Sequence, residues 1–195
     1  MENTSEYIIE TIAPIFNKKG YVGTSLSDIT KATKLTKGAL YCNFKNKEEL
    51  AVKAFRYNIK KALSPLFLQL SEQTTSIKKL KVLTDYYRKF YDFTKGSGGC
   101  PVLNIGVDSK HNSTTLIREV KKQALRLING LSRIIQNGID NSEFNKEINA
   151  EKYARNIYAM IEGAVFMATL YEDEKYLIDI MDSIDDIVIT KMKKE

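Results

Sequence analysis

Two helix-start signals stand close together between Thr24 and Leu50, and this spacing constrains the fold more than any other feature. Ser25 is followed three residues later by Asp28, which is a capping box with aspartate in the usual Glu or Gln position. Thr36 provides the second signal. The helix between the two signals has only about two turns, so it cannot be stable alone. Two helices joined by such a short turn pack at a steep angle, which predicts a helix-turn-helix.

The second of these helices is predicted to have one apolar side and one side suited to a DNA groove. Leu40 and Phe44 are spaced i, i+4 and should face the core. Small residues on the other side allow close approach, and lysine, tyrosine and asparagine can bond phosphates or base edges. The predicted groove residues are Lys37, Gly38, Ala39, Tyr41, Cys42 and Asn43. The predicted phosphate contacts are Ser25, Ser27, Lys45 and Lys47, the last at the start of a further helix whose amides can bind a phosphate.

The positive charge of the chain is concentrated in the same region. The sequence has 30 Lys and Arg residues against 24 Asp and Glu residues, a formal net charge of +6. Residues 18–47 contain the lysines at 18, 19, 31, 34, 37, 45 and 47 and a single acid, Asp28, so they account for the whole excess. A focused basic patch on an otherwise neutral chain is typical of nucleic-acid binding. The alternative, a solvated lysine-rich face, is disfavoured by the helix-start signals in the same stretch.

The run TSLSDITKATKLTKGALYCNFKNKEEL, preceded by IAPIFNKKGY, resembles the N-terminal DNA-binding domain of tetracycline-repressor (TetR) family regulators. The shared pattern is a small hydroxyl residue before the second helix, Lys-Gly-x-Leu-Tyr in the third, and Phe-x-x-Lys-x-x-Leu into the fourth. The resemblance covers about Ile8 to Phe55. It implies that Lys37, Ala39, Tyr41 and Asn43 meet bases or the adjoining backbone and that Lys47 meets a phosphate.

Three positions depart from the family pattern. Lys34 stands where the family usually has glycine in the turn, and a lysine there should cost about 1 kcal/mol if the turn needs positive φ. Pro14 lies inside the predicted first helix, residues 6–19, and should bend or restart it. Asn43 replaces the frequent His or Tyr, so base preference does not carry over.

The fold class expected for the whole chain is all-α, with about nine helices. Residues 1–47 are expected to form the three-helix DNA-binding domain, and residues 48–195 a helical domain for effector binding and dimerisation. A further helix is predicted over residues 46–70, where Pro65 should kink it or split its last turns. The remaining helices are predicted over 77–94, from Pro101, from Ser113 or Thr114 to 137 with Gly138 ending the helix, over 150–170, and over 175–191.

The second domain is predicted to contain an effector cavity. Five aromatic rings between Tyr86 and Phe93 exceed what one core stripe can bury, so some should line a second surface. The candidate ligand residues are Tyr87, Tyr91, Cys100, Asn104, Tyr158, Glu162 and Phe166. The family resemblance implies that an effector bound here shifts the dimer to a spacing that no longer fits the operator, which requires different affinities for two states.

The last two predicted helices are apolar on more than one side, which indicates an interface. The resemblance implies the same pairing, a four-helix bundle between two copies. A two-fold homodimer would place its groove helices roughly 34–36 Å apart, or somewhat more, on a palindromic operator.

The sequence disfavours several other classes of function. His111 is the single histidine, which argues against a His-dependent triad or a multi-His metal site, and no cofactor is expected. The glycine-rich stretch from Lys95 to Pro101 lacks the order of a phosphate loop. Without a secretory signal or an apolar run of membrane-spanning length, the protein is expected in the cytoplasm. Cys42 and Cys100 should not form a disulfide within the chain.

These features predict a ligand-responsive DNA-binding regulator, a repressor released by a small-molecule effector. A thiol-based redox regulator that senses through Cys100 or Cys42 remains the alternative. An enzyme or a helical scaffold is the least favoured class.

Overall fold

The computed structural model describes residues 4–194, and these residues form ten α-helices, so the all-α prediction is confirmed. The helices are α1 (Thr4–Gly23), α2 (Leu26–Thr33), α3 (Lys37–Asn43), α4 (Lys47–Ser71), α5 (Ser76–Arg88), α6 (Phe90–Ser97), α7 (Pro101–Ser109), α8 (Thr114–Asp140), α9 (Ala150–Tyr171) and α10 (Lys175–Ile187), followed by a π-helical turn over Val188–Met192. Within the described part of the chain, extended pairing is limited to one bridge between Phe144 and Lys193.

The chain divides into two compact units. Unit 1 contains the described residues up to Ala62 together with Ser97–Gln123, and unit 2 contains Leu63–Gly96 and the residues from Ala124 onward. Both α4 and α8 contribute to each unit. Helix α7 therefore belongs to the same unit as the predicted helix-turn-helix. The domain boundary after residue 47 stays a prediction, and residues 1–3 and 195 of the predicted domains lie outside the described residues.

The core of unit 1 depends on side chains from all its N-terminal helices. Each is almost completely buried: Ile8, Ile12, Ala13 and Phe16 from α1, Ile29 from α2, Leu40 from α3, Phe44 after it, and Leu50, Ala54 and Phe55 from α4. Burial of one large aliphatic or aromatic side chain stabilises a fold by about 1.5–3 kcal/mol. Helices as short as α2 and α3 gain their stability from this core.

Helix α1 is interrupted at Gly20 and not at Pro14. Gly20 has φ 75° and ψ 176°, which confirms the predicted end of the regular helix there. A restart at Pro14 is not observed, and this part of the prediction is wrong. The neighbouring residues Ala13 and Phe16 are buried, and the Asn58 amide donates a 2.7 Å hydrogen bond to the Ala13 carbonyl. This packing holds the helix across the proline.

In unit 2, α10 packs against α5 and α9. Arg88 of α5 donates hydrogen bonds to Asp182 and Asp185 of α10, and the Thr84 hydroxyl donates to Asp185 at 2.7 Å. Burial opposes ionisation of Asp185, but the hydrogen bonds from Thr84, Arg88 and Lys81 hold its pKa below the ordinary value. The network fixes the orientation of α10 on α5.

Three predicted helix boundaries are wrong. The helix predicted over residues 77–94 is two helices, because the chain leaves helical geometry at Lys89 (φ −97°, ψ 1°). Helix α8 continues past Gly138 to Asp140. A Cβ at Gly138 would lie 2.2 Å from Phe144 Cδ2, so the glycine makes room for this ring and does not end the helix. The last α-helix, predicted up to residue 191, ends at Ile187, and the chain then forms the π-helical turn.

Helix α4 is continuous through Pro65, and the predicted split of its last turns is not observed. The predicted start of α8 is confirmed at Ser113, whose hydroxyl accepts a hydrogen bond from the Leu116 amide at 3.0 Å. Pro101 occupies the first turn of α7, as predicted.

Lys34 generates a prediction about stability. It ends α2 with left-handed dihedrals, φ 58° and ψ 22°, which a residue with a Cβ adopts at a cost. Lys34→Gly should raise the free energy of unfolding by about 0.5–1 kcal/mol in urea titrations. Lys34→Ala removes the same charge but keeps the Cβ, so it should give no such gain. Equal gains in both variants would assign the effect to charge.

A second prediction concerns pH. Arg56 Nε and Nη2 donate to Glu119 at 2.9 and 2.8 Å, and Gln123 donates at 2.7 Å. The hydrogen bonds from Arg56, and to a smaller extent that from Gln123, lower the pKa of Glu119 to about 2, although burial opposes this shift. A depressed carboxyl pKa contributes stability that is complete above the unfolded value near 4.5 and is lost as the pH falls towards 2.

Because 54% of the Arg56 side chain is exposed, this contribution should be about 1–2 kcal/mol and no more. Measurement of the free energy of unfolding from about pH 6 to about pH 2 spans both pKa values of Glu119. This free energy should therefore fall less steeply with acid in Glu119→Gln than in the wild type. Glu72→Gln, at an exposed position of unit 2, should follow the wild-type curve. Parallel curves for the wild type and Glu119→Gln would contradict the assignment.

Candidate nucleic-acid interface

The turn between α2 and α3 is fixed by the two predicted caps, and both are confirmed. The Asp28 amide donates to Ser25 Oγ at 3.1 Å, and the Ser25 amide donates to Asp28 Oδ2 at 2.9 Å, which completes the capping box. At the start of α3, the Ala39 amide donates to Thr36 Oγ1 at 3.2 Å. These bonds satisfy amides that a helix start would otherwise leave open.

Helix α3 has the two-sided character that the sequence predicts. Leu40 and Phe44 are 2% and 3% exposed and hold the helix to the core of unit 1. The outer side consists of Lys37, Gly38, Tyr41 and Cys42, all exposed, with Ala39 and Asn43 half-buried at its edges. A Cβ at Gly38 would meet only Thr36 Oγ1, at 3.8 Å. No packing among residues 4–194 requires glycine there, so its small size is available for close approach to another molecule.

Asn43 differs from the other groove candidates because its amide already has partners. Nδ2 donates to the Ala39 carbonyl at 2.9 Å, and Oδ1 accepts from the Ser5 hydroxyl at 2.9 Å. A base contact by Asn43 would compete with these two bonds. The i, i+4 spacing to Ala39 could have indicated the first bond, whereas nothing in the sequence indicates the second.

The predicted phosphate contacts differ in how available they are. Ser27 and Lys45 are exposed. Ser25 is exposed too, but its hydroxyl donates to Asp28 Oδ2 at 2.6 Å. Lys47 is half-buried in the first turn of α4, where its Nζ lies 4.6 Å from the centroid of the Tyr21 ring. Burial lowers the pKa of Lys47, while the charges of Asp108 and Asp28 favour its protonated form.

The basic region retains most of its charge. Lys19 Nζ lies 2.7 Å from Asp28 Oδ1, so the single acid of residues 18–47 is paired. The hydrogen bonds from Lys19 and Ser25 hold the pKa of Asp28 well below its ordinary value. Five lysines of this region are exposed and form no ion pair within residues 4–194: Lys18, Lys31, Lys34, Lys37 and Lys45. An anionic surface would meet these charges unneutralised.

The predicted ligand residues fall in both units. In unit 2, Tyr87 is buried, Tyr91, Tyr158 and Glu162 are half-buried, and Phe166 is exposed. In unit 1, Cys100 is buried at the start of α7 and Asn104 donates to the carbonyls of Gly98 and Asn17 at 2.6 and 3.1 Å. Asn104 thereby fixes the glycine turn to α1.

Unit 2 contains an open cleft of about 310 Å³ beside the aromatic segment 86–93, from which a cavity was predicted, although its lining residues differ from the predicted ligand residues. It is lined by Gln69, Asp85, Tyr86, Lys89, Phe90 and Phe93. The Phe90 ring is central, with centroid distances of 5.7 Å to Tyr86 and 5.1 Å to Phe93. None of the seven predicted ligand residues lines this cleft, although the Tyr87 ring contacts Tyr86 and Phe90. The i, i+4, i+7 spacing of Tyr86, Phe90 and Phe93 was the signal that could have found it.

Other chemistry finds little support in the described residues. Over residues 4–194 no group of three His, Cys, Asp or Glu side chains could hold a metal ion, and His111 is exposed. Neither Cys42, which is exposed, nor Cys100, which is buried, forms a disulfide within the described residues. Within the same range, no helix has the length and apolar character needed to cross a membrane.

Two family models match most of the chain in sequence. Residues 8–54 match the model described as bacterial regulatory proteins, tetR family, and residues 76–184 match the tetracyclin repressor-like C-terminal domain. The chain belongs to the TetR family. It is therefore a DNA-binding transcriptional regulator, and its α2–turn–α3 segment is the helix-turn-helix of that family.

Individual transcriptional regulators are similar to this chain over nearly its full length. A TetR-family regulator from Cytophaga hutchinsonii is 34% identical with a TM-score of 0.89, covering 98% of this chain and 96% of its own. A TetR regulator from Chloroflexus aurantiacus is 29% identical with a TM-score of 0.92, covering 98% and 97%. The uncharacterized HTH-type transcriptional regulator YxaF of Bacillus subtilis is 25% identical over 97% of each chain.

Proposed function

We propose that this TetR-family regulator is a dimeric repressor that binds a palindromic DNA operator and is released from it by a small-molecule effector. The main support is the outer side of α3, where Lys37, Gly38 and Tyr41 are exposed while Leu40 and Phe44 are buried. A short helix of this kind can enter a major groove without disturbing its own core contacts. The protein is proposed to act on DNA in the cytoplasm.

The DNA-contacting residues keep the roles proposed from the sequence. Lys37, Gly38, Ala39, Tyr41, Cys42 and Asn43 would meet the groove, and Ser25, Ser27, Lys45 and Lys47 would meet the phosphate backbone. A distant structural neighbour, a cysteine mutant of the TetR-family regulator CifR, is complexed with 26-base-pair operator DNA; it is 16% identical to this chain with a TM-score of 0.79. The repressor assignment is supported by the name of a curated relative, the transcriptional repressor DhaR of a Mycobacterium, which is 20% identical.

The proposed dimer uses α9 and α10. On α9, the residues Ala159, Gly163, Phe166 and Leu170 form an exposed stripe opposite the buried side of the helix. Glycine inside a helix costs roughly 0.5–1 kcal/mol relative to alanine, and a Cβ at Gly163 would meet no atom of the described residues within 4 Å. Close contact with a helix of a second copy would explain both the glycine and the exposed apolar side chains.

The effector is proposed to bind in unit 2, in the cleft lined by aromatic side chains of α5 and α6. An apolar wall with a few polar groups at its edge is the usual composition of a small-molecule site, and Gln69 and Lys89 supply such groups here. Of the earlier ligand candidates, Tyr87 and Tyr91 belong to the same aromatic segment. Redox sensing through Cys42 or Cys100 stays a prediction that no particular contact favours.

The dimer proposal predicts the effect of one charge on α9. Leu170 is 58% exposed, so Leu170→Glu should leave the fold of one chain intact but place two like charges at the interface. Sedimentation should show a monomer, and operator affinity should fall at least about tenfold, since two half-sites are no longer bound together. Leu68→Glu is the matched control, because Leu68 is 64% exposed on α4 and outside the proposed interface. A dimer that survives Leu170→Glu would contradict this interface.

The separation of base and phosphate contacts predicts different effects for two lysines. Lys47→Ala should weaken binding to specific and random duplexes alike and reduce the salt dependence of log K by about 1 per protomer. Lys37→Ala should in addition reduce the preference for the operator over random DNA by roughly 1–3 kcal/mol. The measurement is fluorescence anisotropy with both duplexes over a salt series. Identical losses on specific and random DNA for both variants would refute the assigned roles.

A further inference from the structure

Immediately before the helix-turn-helix, the chain depends on a carboxylate from a distant part of the sequence. After the break at Gly20, the amides of Tyr21 and Val22 both donate to Asp108 Oδ2, at 2.6 and 3.2 Å. Asp108 belongs to α7, more than eighty residues later in the sequence, and lies in the same unit. Two backbone amides at a new turn have no partner within that turn, so this carboxylate acts as their cap.

The backbone at Gly20 lies directly against the same carboxylate. A Cβ at Gly20 would lie 2.8 Å from Asp108 Cγ and 2.9 Å from Oδ1. Glycine is therefore needed twice at this position, for its φ of 75° and for this close approach. The contact is a specific fit between the end of α1 and α7.

The other end of α7 is also fixed to α1, which limits how far Asp108 can move. The Asn104 amide donates to the Asn17 carbonyl at 3.1 Å, and the Asn17 amide donates to the Gly99 carbonyl at 3.0 Å. With contacts at both ends of α7, the position of the Asp108 carboxylate is set by the helix packing and not by a flexible side chain alone.

The capped residue Tyr21 supports a proposed DNA contact. Its ring lies under Lys47, with Nζ 4.6 Å from the ring centroid, a distance at which the ring attracts the ammonium group. The charge of Asp108 also favours the protonated form of Lys47. The chain of contacts thus runs from Asp108 through the backbone and ring of Tyr21 to the Lys47 ammonium group.

We propose that Asp108 is a positioning residue for DNA binding: by capping the Tyr21 and Val22 amides it holds the Tyr21 ring where it orients Lys47 towards a DNA phosphate. The inference rests on the proposed role of Lys47 as a phosphate contact. Holding a long side chain in its binding conformation before contact reduces the entropy lost on binding. Asp108 itself would not touch DNA.

The sign of the effect separates this role from simple electrostatics. Removing an acid from a DNA-binding unit strengthens DNA binding if only charge matters, because repulsion of phosphate is reduced. Positioning predicts the opposite result. In the full-length protein, Asp108→Ala should weaken binding to a duplex selected by the wild type about five- to tenfold, and the salt dependence of log K should fall by about 1 per protomer. Glu6→Gln, at an exposed acid of the same unit, should bind as tightly as the wild type or slightly more tightly.

A double-mutant cycle with Lys47→Ala decides whether Asp108 acts through Lys47. If it does, adding Asp108→Ala to Lys47→Ala should change affinity less than twofold, because the affected contact is already absent. Additive losses, or Asp108→Ala binding as tightly as the wild type, would overturn the proposal. If Lys47→Ala alone has no effect on affinity, the phosphate role fails first, so the two failures are distinguishable.

Thermal unfolding of each variant checks that the protein remains folded at the assay temperature. If Asp108→Ala does not fold, the cycle is carried out with Tyr21→Leu, which keeps the backbone amides on Asp108 and removes only the ring under Lys47. A several-fold loss that disappears in the Lys47→Ala background is again expected. An unchanged affinity, or a loss additive with Lys47→Ala, would again overturn the proposal.

Discussion

Burial of Leu40 and Phe44 is the interaction on which the DNA-binding surface depends. Helix α3 has seven residues and would not persist in water by itself, so its geometry exists only because these two side chains enter the core formed by α1, α2 and α4. The same packing leaves Lys37, Gly38 and Tyr41 on the opposite side. One short amphipathic helix therefore provides both its own stability and the surface that it presents.

Two acids of unit 1, Asp28 and Asp108, accept hydrogen bonds from backbone amides close to the basic region. Asp28 serves at once as a cap for α2 and as the partner of Lys19, so the single acid of the basic stretch is used for structure. Asp108 also has two interactions. It accepts hydrogen bonds from the Tyr21 and Val22 amides, and its charge favours the protonated form of Lys47. In both cases a carboxylate close to the proposed DNA surface is occupied by backbone amides, which reduces its repulsion of an approaching phosphate.

The local features of the fold could be predicted from the sequence because their causes are local. The Ser25 and Thr36 caps and the two-sided character of α3 depend on residues within a few positions of one another, and the glycine at position 20 is by itself a signal for a helix end. The errors arose where distant residues decide the structure. Gly138 accommodates the Phe144 ring inside unit 2, and helix α1 continues through Pro14 because its neighbours are buried. The cap that Asp108 gives to Tyr21 and the Ser5 bond to Asn43 likewise have no signature in a single sequence. The cleft around Phe90 did have a signal, the spacing of Tyr86, Phe90 and Phe93, but the ligand residues were not predicted from it.

In the proposed function, two copies of α3, held at one spacing by a dimer, read DNA. Selection of bound duplexes from a random pool by the full-length protein tests it most directly. The selected duplexes should be enriched in a palindrome whose two halves have centres about 10 base pairs apart or somewhat more, as expected for helices in successive major grooves. Enrichment of an unpaired half-site, or no enrichment above the random pool, would contradict it.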